Sequence, residues 1–440
     1  MRGKSVLAAT PYDRQILRLA VPALGALAAD PLVTLVDTAF VGRLGATELG
    51  ALGINAAVFS LSFALFNFLA YGTTPLVAAA WGKGDREAAG RVVLQAMGLA
   101  LVIGMMAVAI LETMWLPLLR AMQAGPDLLQ PAGEYLRIRA LAAPAVLLVT
   151  VGHGAYRGMQ DTRTPLLVTV GFNVVNLVGD PLLIFVAGWG LRGAAIATVL
   201  AQWTGAIWFL VLFNKRRREQ GIEVRVPKLS ELRPLATAGT ELIARTAGLL
   251  AVFTAATAVA ARIGTATVAA HQVAAQIWLF LSLLLDSLAI AGQALVGRYL
   301  GSGEVDHARA ASDRMLQWGL AFGAILGVIF WVLGPALPRL FTEDAEIVAL
   351  VAGVMPFVAV LQPIGALVFV WDGIFMGARE FRFLMVSTLA AASVAGSVLI
   401  LAVKAGWGLT GVWWGITALI LGRLGLLALR YRTVFAPART

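Results

Sequence analysis

Apolar runs long enough to cross a hydrocarbon core, which takes about 20 residues each, recur from one end of the 440-residue chain to the other with only short polar breaks. They fall at 14–42, 49–79, 90–116, 134–158, 164–187, 191–214, 234–262, 268–299, 311–335, 348–377, 383–405 and 410–432. A backbone in lipid must satisfy its own hydrogen bonds, so each run reads as a helix. The expected fold is all-α, a multi-pass membrane protein of twelve transmembrane helices. Composition agrees, with 60% apolar and 13% charged residues against a soluble norm of roughly 45–50% and 25%. No stretch remains for a sizeable soluble domain. The segment Met1–Tyr12 is too polar for a signal h-region, and the apolar run from Ile16 to Phe40 exceeds any signal length. The first helix is therefore expected to stay in the protein. With no cysteine there is neither a disulfide framework nor a thiol metal site.

The formal net charge of +10 would suggest nucleic acid in a soluble protein, so the placement of the basic residues decides its meaning. With the N-terminus in the cytoplasm, 24 of the 34 Lys and Arg lie at or near the cytoplasmic side, among them the run Lys215, Arg216, Arg217, Arg218. Arg43, Arg120, Arg192, Arg262, Arg339 and Lys404 lie outside, and Arg137 and Arg139 just within the outer end of the fourth span. Cationic loops resist translocation. Both termini are expected in the cytoplasm of a plasma (inner) membrane protein, and nucleic-acid binding is not.

An internal repeat organises the chain. Gly45, Gly82 and Gly84 return as Gly264, Gly301 and Gly303, and the same offset of 219 carries Pro144 to Pro363, Gly158 to Gly377, Asp161 to Glu380 and Arg163 to Arg382. The run Gly188-Trp189-Gly190-Leu191-Arg192-Gly193 returns as Gly406-Trp407-Gly408-Leu409-Thr410-Gly411. Six spans per half make these parallel repeats, related by an axis along the membrane normal. The expected domains are an N-terminal lobe, 1–213, a cytoplasmic linker, 214–233, and a C-terminal lobe, 234–440. Two such lobes suit alternating access to a central cavity, which favours transport over catalysis.

Ionisable groups inside spans mark functional candidates, because each costs at least about 2.5–3.5 kcal/mol to insert. The first lobe holds Asp30 and Asp37 in the first span and Asp180 in the fifth. Asp30 and Asp37 are seven apart, hence on one helix face, and Asn173, Asn176 and Asp180 make another polar stripe. Pro31 and Pro181 follow two of the acids and free the carbonyls of Leu27 and Leu177. His153, Thr198 and Gln202 are further polar candidates; such groups more often bond a neighbouring helix than a ligand. In the second lobe Glu241 and Arg245 stand at i, i+4 spacing, where an ion pair is expected, while Asp286 and Asp372 remain open as functional candidates.

Val36-Asp37-Thr38-Ala39-Phe40-Val41-Gly42-Arg43-Leu44-Gly45 closing the first span, the loop glycines Gly82 and Gly84, and Ala270-His271-Gln272 leading to Gln293-Ala294-Leu295-Val296-Gly297 resemble the multidrug and toxic compound extrusion (MATE) family, and within it the DinF-like branch. The likeness runs from about residue 14 to 432. It implies a V-shaped two-lobe antiporter that expels organic cations and other amphipathic compounds in exchange for protons or sodium ions. The family's coupling acids match Asp37 and Asp180, with Asn176 and Thr198 at supporting positions; Asp30, Asn173, His153 and Gln202 are expected to line the substrate cavity. Other branches pair a glutamate deep in the seventh span with an aspartate in the tenth. Asp372 fits the latter, but no acid lies between Ala247 and Ala260, so the second lobe departs from that pattern.

The inferred mechanism is competitive exchange in the first lobe. Asp37 and Asp180 take up a proton from outside, helix 1 bends or repacks at Pro31, and a cationic substrate is released. Sodium is the rival ion, since Asp37, Asn176, Asp180 and Thr198 offer oxygen ligands to a hard cation. A small-molecule substrate and membrane lipid are the expected partners, no cofactor is expected, and the protein is expected to act as a monomer. The alternative is a lipid-linked precursor flippase, but a cavity for lipid phosphates should hold several intramembrane Lys or Arg, and only Arg245 and Arg423 lie well within spans. An enzyme would need a metal or nucleophile constellation, which three scattered histidines and no cysteine do not supply.

Overall fold

The computed structural model describes residues 10–220, 229–334 and 336–435. Among them the chain forms fourteen α-helices and no strand: α1 (Pro11–Gly42), α2 (Ala46–Ala64), α3 (Phe68–Gly82), α4 (Arg86–Ala121), α5 (Pro126–Ala140), α6 (Ala143–Gly158), α7 (Arg163–Pro181), α8 (Gly190–Glu219), α9 (Leu229–Ile263), α10 (Thr265–Gly301), α11 (Val305–Leu333), α12 (Ala345–Gly377), α13 (Phe381–Lys404) and α14 (Gly408–Val434). Ten are each long and apolar enough to span a membrane. Two bent pairs make twelve if each crosses once: the α2 and α3 pair, bent by 41°, and the α5 and α6 pair, bent by 48°. A 3-10 turn at Leu65–Asn67 makes the first bend. At the second, Pro144 stands in the first turn of α6, where its missing N–H would have had no partner anyway. Of the expected linker, 214–219 continues α8, 229–233 opens α9 and 221–228 lies outside the described residues.

The helices gather into two compact units, Val21–Gly239 and Met1–Ala20 with Thr240–Thr440. In the first, α6 packs on α3 and α4, α2 on α5, and α7 on α8. In the second, α12 packs on α10 and α11, and α13 on α14. The repeat is thus one packing scheme used twice, with α10 and α12 continuous where the first unit has bent pairs.

Glycine contacts carry the same offset into three dimensions. A Cβ on Gly154 would lie 2.9 Å from the Ala70 carbonyl oxygen, and one on Gly373 would lie 2.1 Å from that of Ala289. Gly104 presses on Pro144 as Gly323 does on Pro363. Small residues let backbones approach where lipid supplies no hydrophobic drive between helices.

Helix α1 begins in one unit and ends in the other. In its first turn Asp13 accepts hydrogen bonds from Arg314 Nε at 2.6 Å and Nη2 at 3.0 Å, and from Trp318 Nε1 at 2.6 Å. Gln15 accepts from the Tyr299 hydroxyl at 2.6 Å. The start of α9 is placed reciprocally, but by apolar contacts, with Gly239 on Phe68 and Leu235 on Gly72.

Candidate functional site

Helix α7 carries Thr169, Asn173, Asn176 and Asp180 at spacings of four, three and four, which aligns them on one face. All four are buried, with Asp180 only 1% exposed. Each level of this face meets a polar group or a second acid. Thr169 Oγ1 lies 3.1 Å from His153 Nε2 on α6. Asn173 Nδ2 donates to Asp30 Oδ1 on α1 at 2.8 Å. Asn176 and the carboxyl of Asp37 stand beside Asp180, the two acids close enough to hydrogen-bond if one carries a proton. Among the described residues no hydrogen bond of full geometry is completed at Asp37 Oδ1, at either oxygen of Asp180 or at Asn176 Nδ2, although Asn176 and Asp37 both stand within reach of Asp180. Buried polar atoms are rarely left so.

The local sequence explains why the acids sit where they do. Pro31 lies inside α1 between Asp30 and Asp37, and the Thr34 hydroxyl donates to the Asp30 carbonyl at 2.9 Å. After Asp180, Pro181 ends the regular helix and the chain passes through a π-type turn, Leu182–Val186. Such turns are rare and concentrate at functional sites. Gly193 of α8 closes on this turn, where a Cβ would lie 2.6 Å from the Leu183 carbonyl.

Arg139, which the sequence marked only for its bearing on topology, lies on α5 within electrostatic reach of Asp30, Asp37 and Asp180. Its guanidinium stands 5.3 Å from the Phe59 ring centroid. Three carboxylates thus share one fixed cation. Its place inside the outer end of the fourth span was the available signal. Of the other candidates, Thr198 uses its hydroxyl on its own helix, donating to the Ala194 carbonyl at 2.9 Å, and Gln202 is half-buried one turn further along α8.

The second unit is arranged differently. Asp372 on α12 accepts from Arg245 Nη2 at 2.6 Å and from Arg423 of α14 at the same carboxylate oxygen. Asp286 on α10 lies within electrostatic reach of Arg423. The ion pair expected between Glu241 and Arg245 does not form, because Arg245 turns away to Asp372. An exposed i, i+4 pair contributes only about 0.2–0.5 kcal/mol, whereas a guanidinium 6% exposed needs a buried carboxylate. Asp372 is therefore held by two fixed cations, unlike the first-unit acids.

The MatE family model matches residues 22–182 and 243–401, one stretch in each half. The chain belongs to the MATE family. It is 37% identical over 442 residues to Protein DETOXIFICATION 44, chloroplastic, of Arabidopsis thaliana, covering 96% of this chain and 83% of that one. It is 30% identical over 432 residues to DNA damage-inducible protein F of Escherichia coli (strain K12), covering 96% and 91%. Among solved structures, MATE in the bent conformation superposes with a TM-score of 0.88 at 22% identity, covering 97% of this chain and 95% of that one. This MATE protein therefore has the fold of a family of small-molecule transporters, and its many apolar helices make it a multi-pass membrane protein.

Proposed function

We propose that the protein is a secondary active efflux transporter of the inner membrane, with both termini in the cytoplasm, that exports organic cations or amphipathic compounds in exchange for protons. The observation that carries this reading is the Asp37 and Asp180 pair. Two carboxyls face each other on different helices, and among the described residues three of their four oxygens complete no hydrogen bond of full geometry. Such a pair holds a proton between its oxygens, and a cation replaces that proton without leaving either charge unpaired. Occupancy by one or the other, not both, is the requirement of an antiporter. The neighbouring Pro31 and the π-type turn after Asp180 give both helices a place to change shape when the occupant changes. Asp30, Asn173 and His153 extend the polar face toward the substrate. The excess of Lys and Arg on alternate loops supports the orientation.

Purified protein in proteoliposomes loaded with a cationic dye tests the reading. An imposed pH gradient should drive dye movement, and an imposed sodium gradient at equal pH should not. Movement driven by sodium alone would replace the proton with sodium at this site. Movement indifferent to both gradients would sink ion coupling.

A further inference from the structure

We propose that the buried polar face of α7 is a proton path, running from the Asp37 and Asp180 pair to His153 and Thr169 at its cytoplasmic end. The proposal rests on the reading of that pair as the proton-exchanging site. Asp180 and Thr169 are eleven residues apart, about 16 Å along the helix axis, or roughly half the thickness of a hydrocarbon core. A polar stripe of that length inside an apolar lobe is costly and persists where it has a task. From the Asp37 and Asp180 pair the stripe passes Asp30, which Asn173 holds. It continues one turn further and ends on an imidazole.

That ring is held in place. Gly152 and Gly154 flank it, and a Cβ on either would collide with Phe209 or with the Ala70 backbone. The ring stands edge-on to Phe209, with centroids 5.5 Å apart. Phe209 of α8 stands against the ring, and Ala70 and Thr73 of α3 stand against the adjoining Gly154, none of them charged. The charged side chain that acts on the imidazole is Arg157, one turn along α6, and the next acid is Asp30, one turn up the stripe through Asn173.

The groups suit a relay. A carboxyl takes and gives a proton at either oxygen, and a hydroxyl gives one proton as it accepts another. An imidazole takes a proton at one ring nitrogen and releases one from the other. A proton leaving the acid pair crosses the two helix turns to Asp30, about 10 Å, through intervening water, and passes on to the Thr169 hydroxyl, which hands its own to His153 Nε2. The ring releases the Nδ1 proton to water on the cytoplasmic side. Asp30, Thr169 and His153 each end with the proton count they began with, while the acid pair has lost one proton and the cytoplasmic water has gained one. The step from Asp30 to Thr169 is one helix turn, about 6 Å, a gap that one bridging water covers.

Thr169→Val removes only the hydroxyl, and His153→Gln keeps a polar side chain without a relay nitrogen pair. With the cationic dye ethidium as probe, Thr169→Val should bind dye within about twofold of wild type. Dye-triggered proton release on the cytoplasmic side, followed by a pH indicator, should slow about tenfold or more. Thr169→Ser should restore it. Wild-type release in both variants would overturn the proposal, as would losses of dye affinity and melting temperature that match the loss of rate. Asp37→Asn separates the two readings. If it abolishes release while the Thr169 and His153 variants behave as wild type, only the path falls. If it transports as wild type, the coupling site falls with it.

Discussion

Arg245 of α9 and Asp372 of α12 form a 2.6 Å ion pair with both side chains under 9% exposed, and Arg423 of α14 shares the same carboxylate. Removing that carboxylate would strand two buried guanidiniums. Asp372→Asn should therefore lower stability by about 3–5 kcal/mol, read as a depressed melting temperature in detergent. Transport per folded molecule should fall less than in Asp37→Asn. An Asp372→Asn protein with wild-type melting and no transport would reverse that assignment.

Asp37→Asn should abolish coupled efflux while leaving the protein folded and inserted, and Asp180→Asn should impair it strongly. The amide keeps the size and much of the hydrogen bonding of the acid but can neither give up a proton nor carry charge. Proton-driven dye efflux and thermal stability, measured together, check this. Activity loss matched by loss of folding would mark the pair as structural.

The glycine contacts are tested by Gly373→Ala and its repeat partner Gly154→Ala. Each Cβ would meet a carbonyl oxygen of a neighbouring helix within 3.0 Å, so each should cost about 1–3 kcal/mol or more. Gly353→Ala, with nothing within 4 Å of the added carbon, should be neutral or stabilise α12 by up to about 1 kcal/mol. Comparable melting temperatures for Gly373→Ala and Gly353→Ala would contradict the close approach.

Asp13 accepts from Arg314 and Trp318 with both members of the ion pair 12–13% exposed. Asp13→Asn should destabilise by about 1.5–3 kcal/mol, the range for losing hydrogen bonds to a charged group. Thermal unfolding of Asp13→Asn, Arg314→Gln and the double variant should show coupling between the two sites. Strictly additive losses would mean the contact contributes nothing.

Orientation can be read directly in a chain without native cysteine. Gln220→Cys should react with an impermeant maleimide only in inside-out vesicles, whereas Arg120→Cys and Lys404→Cys should react in intact cells. Labelling of Gln220→Cys from outside would invert the topology and with it the direction of the proposed proton path.

The amino-acid order alone determined the spans, the repeat and the stripes. Hydropathy over about 20 residues decides what enters lipid, a constant offset through glycines and loop charges reveals duplication, and helical spacing decides which side chains share a face. Asp37, Asp180, Asn173 and Asn176 were legible for that reason, as intramembrane polar groups at regular intervals. What each face meets was decided only by tertiary structure. Arg245 looked bound to Glu241, its neighbour along the helix, yet pairs with Asp372, 127 residues away. Thr169 and Arg139 carried no signal strong enough to single them out until α6, α1 and α5 were seen around α7. Partner choice across helices depends on rotation about each axis and on close approach at glycines such as Gly154 and Gly193, and both arise from contacts between residues far apart in the chain.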